Sequence, residues 1–249
     1  MSRLRQVLHC RAFSIVLLTA VALGMAACGN PEPQPLHFGD AVWRPGETSL
    51  YRATDLNGEP AGTVRVVMQQ SDGDGWRMER VTQTQGDEEL LTVDMEAQGF
   101  RPRASILERS SGGTIERVEA TYDHGQVHLA LTTKGDATTT EVVSIPSDSR
   151  DARTMFMLVR TLPLTTGFST RVNTFLPVAA RMARTTVTVL GDETVETPAG
   201  TFDAWLTVLD EGDRQSRAWI SKETPFPLVK YVDGANSGLF ELVEFNSAD

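Results

Sequence analysis

Cysteine is almost absent from this chain, whose 249 residues include only Cys10 and Cys28. Two cysteines cannot form a disulfide framework. Basic residues are also fewer than acidic ones. The chain has 23 Lys and Arg and 33 Asp and Glu, which gives a formal net charge of −10. A surface this acidic repels the phosphate backbone of nucleic acids. We therefore expect no nucleic acid among the partners of this protein.

The motifs of common catalytic and metal sites are missing as well. The chain has no Gly-x-Ser-x-Gly elbow, no Ser-x-x-Lys motif and no glycine-rich phosphate loop. His124 and His128 lack the His-Glu-x-x-His frame of a zinc site, and we interpret them as solvated. The acidic stretches 72–75 and 210–213 lack the other ligands of a calcium loop and predict turns. The sequence predicts no metal, no cofactor and no enzyme. A hydrolase that uses a pair of carboxylates is the remaining enzymatic alternative.

Long hydrophobic runs are absent except at the N-terminus. Three arginines precede sixteen uncharged residues, 12–27. This run is shorter than the roughly 20 residues of a membrane span and is typical of a signal peptide. It ends at Ala26-Ala27-Cys28, a junction that resembles the lipobox of bacterial lipoproteins. The resemblance implies removal of the signal peptide 1–27 and attachment of fatty acids such as palmitate to Cys28. The alternative is an ordinary signal peptide with an incidental cysteine.

A lipid anchor at Cys28 makes the membrane the predicted partner of this chain. Each buried CH₂ of a fatty acid contributes about 0.8 kcal/mol, so two or three acyl chains hold a protein on a bilayer. Gly29 stands where an aspartate would, in enterobacterial-type sorting, retain a lipoprotein at the inner membrane. The predicted location is therefore extracytoplasmic, at the outer membrane if the organism has one. Prolines alternate along residues 28–37, which predicts a stiff tether before a single domain, 38–249.

The dominant hydrophobic period beyond the tether is two. Leu91, Val93 and Met95, for example, alternate with Thr92 and Asp94. Such runs follow one another at short intervals, separated by turn signals and without an intervening helix in the first half of the chain. The pattern is typical of antiparallel strands joined by hairpins. We predict a mostly β fold built as an antiparallel meander.

One segment breaks the period of two. Ala152, Met155, Phe156 and Val159 follow the spacing of a single helical face. Asp148 can cap the start of such a helix, and Pro163 disfavours helical geometry at the residue before it. We therefore predict one central apolar helix over residues 149–161.

The most distinctive stretch, 191–204, reads Gly-Asp-Glu-Thr-Val-Glu-Thr-Pro-Ala-Gly-Thr-Phe-Asp-Ala. It resembles the signature of an uncharacterised family of exported bacterial domains. The Leu162-Pro163 pair after the helix, Trp219 and the segment 227–229 fit the same family layout. The resemblance implies a single strongly curved antiparallel sheet, shaped like the half-barrels of lipoprotein carriers, with the helix on its concave side. It implies no catalytic residues.

Several large apolar side chains are candidates for a ligand groove. They either line a groove between helix and sheet or fill a core, and they are Met155, Phe156, Val159, Trp205 and Trp219. The predicted function is that of a non-enzymatic envelope lipoprotein that binds a hydrophobic ligand or an envelope protein. The alternative is a structural or assembly lipoprotein without a ligand.

Overall fold

The computed structural model describes residues 31–55, 57–71, 73–112, 114–133, 137–234 and 238–247. Fifteen strands of this part form one sheet. They are β1 (Glu47–Thr54), β2 (Pro60–Ser71), β3 (Gly75–Thr84), β4 (Asp87–Met95), β5 (Pro102–Ser111), β6 (Thr114–Asp123), β7 (Gln126–Thr132), β8 (Thr138–Ser144), β9 (Arg150–Asp151), β10 (Ser169–Leu176), β11 (Arg181–Thr197), β12 (Gly200–Asp210), β13 (Gln215–Ser221), β14 (Leu228–Val232) and β15 (Leu239–Asn246). The mostly β fold class is confirmed.

The sheet consists of two meanders that meet at its centre. Strands β1 to β8 run outwards in one direction, and β15 back to β9 run outwards in the other. The first and last strands pair with each other, with Tyr51 opposite Leu242. Every named strand pair is antiparallel except β9 with β10, which is parallel. The predicted antiparallel meander is confirmed, and the β1–β15 pairing joins its two halves.

Alternating burial shows why these residues form strands. In β4, Leu91, Val93 and Met95 are fully buried, whereas Thr92 and Asp94 between them are partly exposed. One face of the sheet therefore packs on the core and the other meets solvent, as period-two patterning requires.

The central helical segment comprises residues 152–161. A single α-helical turn, α1 (Met155–Leu158), lies between the 3₁₀ turns Ala152–Thr154 and Val159–Thr161. The predicted helix is present but shorter, and Asp151 rather than Asp148 caps it by accepting a hydrogen bond from the Arg153 backbone N–H. Leu162 before Pro163 is extended, as predicted.

The sheet wraps around this segment. Side chains of the segment and of Asp151 before it contact β1, β3, β5, β6 and β14, so the segment lies on the concave face. The outer parts of the two meanders also meet each other, because Phe175 of β10 packs with Ala120, Val127 and Leu129 of β6 and β7. The strongly curved sheet with its helix on the concave side is therefore observed.

The chain before β1 also packs against the body. The Gln34 backbone N–H donates to the Ser169 carbonyl at 2.7 Å, and a parallel bridge joins Gln34 to Thr170. Phe38 and Trp43 are buried against Phe100, with ring centroids 6.0 and 5.2 Å from its ring. Gln34, within the predicted tether, thus contacts the body. The signal peptide and Cys28 lie outside the described residues.

The 191–204 stretch forms the end of the β11–β12 hairpin. Pro198 and Ala199 make its two-residue turn, and Gly200 has a φ of +136°, which a glycine adopts at little cost. The Ala199 N–H donates to the Leu242 carbonyl at 3.0 Å, so the hairpin tip is fixed to β15. The hairpin reading of this motif agrees with the structure.

Candidate functional site

The helical segment is buried although it carries two arginines. The Arg160 guanidinium donates to the Glu47 carboxylate at 2.6 Å and to the carbonyls of Phe226 and Pro225 at 2.9 and 3.0 Å. The side chains of Arg160 and Glu47 are 0% and 1% exposed. Buried charges persist only when they are paired and hydrogen-bonded, as these are. This pair therefore locks the end of the segment to β1.

A second charged cluster fixes the start of the segment. Arg153 donates to both carboxylate oxygens of Asp151, at 2.9 and 2.6 Å, and to the Ser105 hydroxyl at 2.6 Å. The Tyr122 hydroxyl donates to Asp151 at 2.9 Å. Burial alone would raise the pKa of Asp151, but the Arg153 charge and these hydrogen bonds outweigh it and lower that pKa. Asp151 is therefore an ionised structural anchor.

Between these anchors, Phe156 is part of a row of three aromatic rings on the concave face. Its ring lies 5.9 Å from that of Tyr231, which stacks on Phe240 at 6.0 Å with planes 8° apart. Phe156 is 9% exposed, whereas Tyr231 and Phe240 are half-buried. We call Phe156, Tyr231 and Phe240 the aromatic row. Partly exposed aromatic faces on a concave surface are suited to an apolar ligand.

Charged groups border the aromatic row on the side of β3. The Arg80 guanidinium lies 6.0 Å from the Phe156 ring and donates to Glu89 at 2.6 Å, while Arg109 donates to the same carboxylate at 2.7 Å. Burial opposes ionisation of Glu89, but the two guanidinium groups outweigh it and lower its pKa. Burial, opposed by a hydrogen bond with Ser216, raises the pKa of Tyr231 to about 12. The aromatic row is therefore an uncharged surface, and the charged side chains of Arg80, Arg109 and Glu89 lie beside it.

The structure brings together only some of the predicted groove residues. Met155 and Val159 are buried beside Phe156 in the helical segment. Trp205 pairs with Ile220 across β12 and β13, whereas Trp219 pairs with Leu206, so the two tryptophans project from opposite faces of the sheet. Trp219 lies on the face away from Tyr231 and donates to Glu193 at 2.8 Å. Contact of these five residues with a ligand stays a prediction.

Sequence reasoning missed Tyr231, Phe240 and Arg80. All three lie on strands. The period of two predicts on which face of its strand a side chain lies, but it does not identify the strands beside it or the residues that it contacts. Tyr231 and Phe240 become neighbours through the pairing of β14 with β15. No local sequence pattern around Tyr231 or Phe240 indicates that the two residues lie together.

The other candidate residues form no site among the described residues. His124 lies at a turn beside Asp123, and His128 is exposed on β7. No three metal-binding side chains gather in the described ranges. The helical elements there are all too short or too polar to cross a membrane. The 210–213 stretch forms the predicted turn between β12 and β13, whereas Asp72 of the other acidic stretch lies outside the described residues.

Two shallow clefts open on the convex face of the first meander. One, of about 240 Å³, lies over β3 to β6 and includes the paired Arg77 and Asp94. The other, of about 330 Å³, lies over β6 to β8 and includes Val142 and His128. Neither cleft contains any of the predicted groove residues.

Comparison with known proteins identifies the family. A family described as protein of unknown function DUF3108 matches residues 50–235. The chain belongs to this family. Membership of an uncharacterised family is thus confirmed, while the role of the 191–204 stretch as a DUF3108 signature stays a prediction. No curated protein is significantly similar to the chain in sequence.

Solved structures show the same fold in a DUF1849 protein. This β-barrel-like protein from Brucella abortus is 11% identical, with a TM-score of 0.54 over 83% of this chain and 99% of the other. A protein described as exported and as having a YmcC-like fold, from Bacteroides fragilis, is 11% identical over 84% and 99% of the two chains, with a TM-score of 0.28. A protein described as a lipoprotein from Parabacteroides distasonis is 12% identical over 86% and 100%, with a TM-score of 0.30. The similarity to the DUF1849 protein supports a β-barrel-like fold for this DUF3108 chain.

Proposed function

We propose that this DUF3108 protein is a lipid-anchored envelope protein that binds an apolar ligand at the aromatic row and catalyses no reaction. The observation that carries the proposal is the aromatic row, because Tyr231 and Phe240 offer stacked, half-buried faces on the concave side of a curved sheet. Apolar ligands bind to such concave surfaces through dispersion and the hydrophobic effect. The Ala-Ala-Cys junction at residues 26–28 supports attachment to a membrane outside the cytoplasm.

The charged side chains beside the aromatic row restrict which ligands fit. Arg80 and Arg109 share one carboxylate, Glu89, so two positive charges face one negative charge beside the aromatic row. An amphiphilic ligand can place its apolar part on the rings and a polar group near the exposed Arg109. The second ligand class that we propose is an extended segment of an envelope protein, whose apolar side chains would contact the same surface.

The competing function is that of a structural or assembly lipoprotein. The buried Arg160–Glu47 and Arg153–Asp151 pairs favour it, because they tie both ends of the helical segment into the core. We expect a segment fixed in this way to stay in place when a ligand binds. Under the proposed function, the ligand therefore binds on the exposed side of the aromatic row.

Binding of the apolar dye N-phenyl-1-naphthylamine distinguishes the two functions. We expect its fluorescence to rise with the purified protein and its affinity to fall several-fold in Phe240→Ser, because the stacked face is lost. The matched control is Val178→Ser, which removes an apolar side chain that is 41% exposed and outside the row. Native mass spectrometry of the same samples detects co-purified lipid. Absence of both dye and lipid binding, or equal losses in the two variants, supports the structural alternative.

A further inference from the structure

The described chain enters the body beside the first residues of β10. The parallel bridge between Gln34 and Thr170 is reinforced by the Thr170 hydroxyl, which donates to the Gln34 carbonyl at 2.9 Å. Because the bridge is parallel, residues before Gln34 run back along the direction from Thr170 towards Gly167. Pro31, Pro33 and Pro35 favour an extended backbone on this path. The first described residues, 31–33, therefore leave the body beside the start of β10.

The distance from this exit to the proposed lipid anchor is short. Cys28 precedes Pro31 by three residues. Three fully extended residues span at most about 11 Å. A body attached so closely has little freedom to turn away from the bilayer. With a lipid anchor at Cys28, so short a connection would keep the surface around the exit near the lipid headgroups.

The residues at this surface carry little charge and include one exposed leucine. The loop 163–167 reads Pro-Leu-Thr-Thr-Gly, and the Gly167 N–H donates to the Val189 carbonyl at 2.9 Å. Leu190, the next residue, is 57% exposed. We call residues 31–35, 163–167 and Leu190 the tether corner. Glu32 is its one charged side chain. Leu190 is skipped in the β11–β12 register at a bulge, and a bilayer interface would cover its exposed side chain.

We propose that the tether corner rests on the bilayer that holds the fatty acids of Cys28, with β10 rising away from the membrane. This proposal rests on the lipid anchor of the proposed function. The occupant of the surface is the lipid headgroup region, because the short chain to Cys28 brings it there. Strand β10 has eight residues, about 26 Å at 3.3 Å per residue, so the turn after it lies far from the bilayer.

Single-cysteine labelling tests this orientation in the acylated protein. Removal of the signal peptide eliminates Cys10 and acylation blocks Cys28, so an introduced cysteine is the only free thiol. A fluorophore is placed at Thr166→Cys in the tether corner or at Ala179→Cys in the exposed turn after β10. Vesicles of phosphatidylethanolamine and phosphatidylglycerol contain a headgroup-linked nickel quencher. We expect quenching at position 166 to exceed that at position 179 at least threefold, and equal quenching overturns the proposal.

Two further measurements separate the orientation from the anchor. Flotation of the vesicles reports the anchor alone, and a parent protein that fails to float, or a Cys28→Ser variant that floats equally well, refutes the anchor itself. Leu190→Asp tests the surface, because a charge there is expected to reduce quenching at position 166 about twofold while flotation persists. Val178→Asp is the matched control at the other end of β10. Equal effects of the two aspartates overturn the role of Leu190.

Discussion

The buried pair between Arg160 and Glu47 is expected to dominate the response of this fold to mutation. Arg160→Met removes the bonds to Glu47 and to the carbonyls of Phe226 and Pro225. It leaves the Glu47 carboxylate, which is 1% exposed, without its partner. Removing one member of a buried pair costs about 3–5 kcal/mol. The whole stability of a domain is only about 5–15 kcal/mol, so the variant should unfold much more readily.

A double variant shows whether the unpaired charge causes this loss. Arg160→Met with Glu47→Leu removes both charges, and we expect it to be more stable than Arg160→Met alone. The carbonyls of Phe226 and Pro225 lose Arg160 in both variants, but only Arg160→Met leaves a buried carboxylate unpaired. Urea unfolding followed by tryptophan fluorescence measures all variants, since Trp43 lies 5.8 Å from Arg160. Arg52→Met is the control, because its pair with Glu241 is exposed and worth at most about 1 kcal/mol. The reasoning is refuted if Arg160→Met costs no more than this control.

Two other variants test the anchor at the start of the segment and the hairpin turn. The pKa of Asp151 is lower in the folded than in the unfolded protein, so its stabilisation is present above the unfolded pKa of about 3.9 and is lost as pH falls through the folded pKa. Asp151→Asn should therefore flatten the acid dependence of the unfolding free energy below about pH 4, and an unchanged pH profile contradicts this. Gly200→Val should cost about 1–3 kcal/mol because φ is +136° there, whereas Gly191→Val, in open space without a positive φ, should be nearly neutral in the same urea melts. Equal midpoints for the two variants would contradict the assigned strain.

Local patterns were sufficient to predict the class of the fold. Alternation such as that of Leu91, Val93 and Met95 predicts strands, and short turn signals predict that neighbouring strands pair. The helical spacing of Met155, Phe156 and Val159 likewise predicts the central segment. These inferences held because each depends on residues that are close in sequence.

Long-range features could not be read in the same way. Nothing local indicates that β1 pairs with β15, or that the outer strands of the two meanders approach each other. The apolar spacing of the helix likewise did not indicate that Arg153 and Arg160 would be buried. Burial of Arg160 depends on a partner distant in sequence, Glu47. The aromatic row escaped prediction for the same reason, because Tyr231 joins Phe156 only through the tertiary fold.

The pairing of the first strand with the last has a consequence for the order of folding. Hairpins within each meander close loops of a few residues, whereas Tyr51 and Leu242 are 191 residues apart. Each doubling of loop length adds about 0.6 kcal/mol of entropic cost, so this closure costs about 3 kcal/mol more than that of a five-residue turn. Early β1–β15 contact is therefore unfavourable. We expect each meander to pair its own strands first and the β1–β15 pairing to join the two half-sheets late in folding.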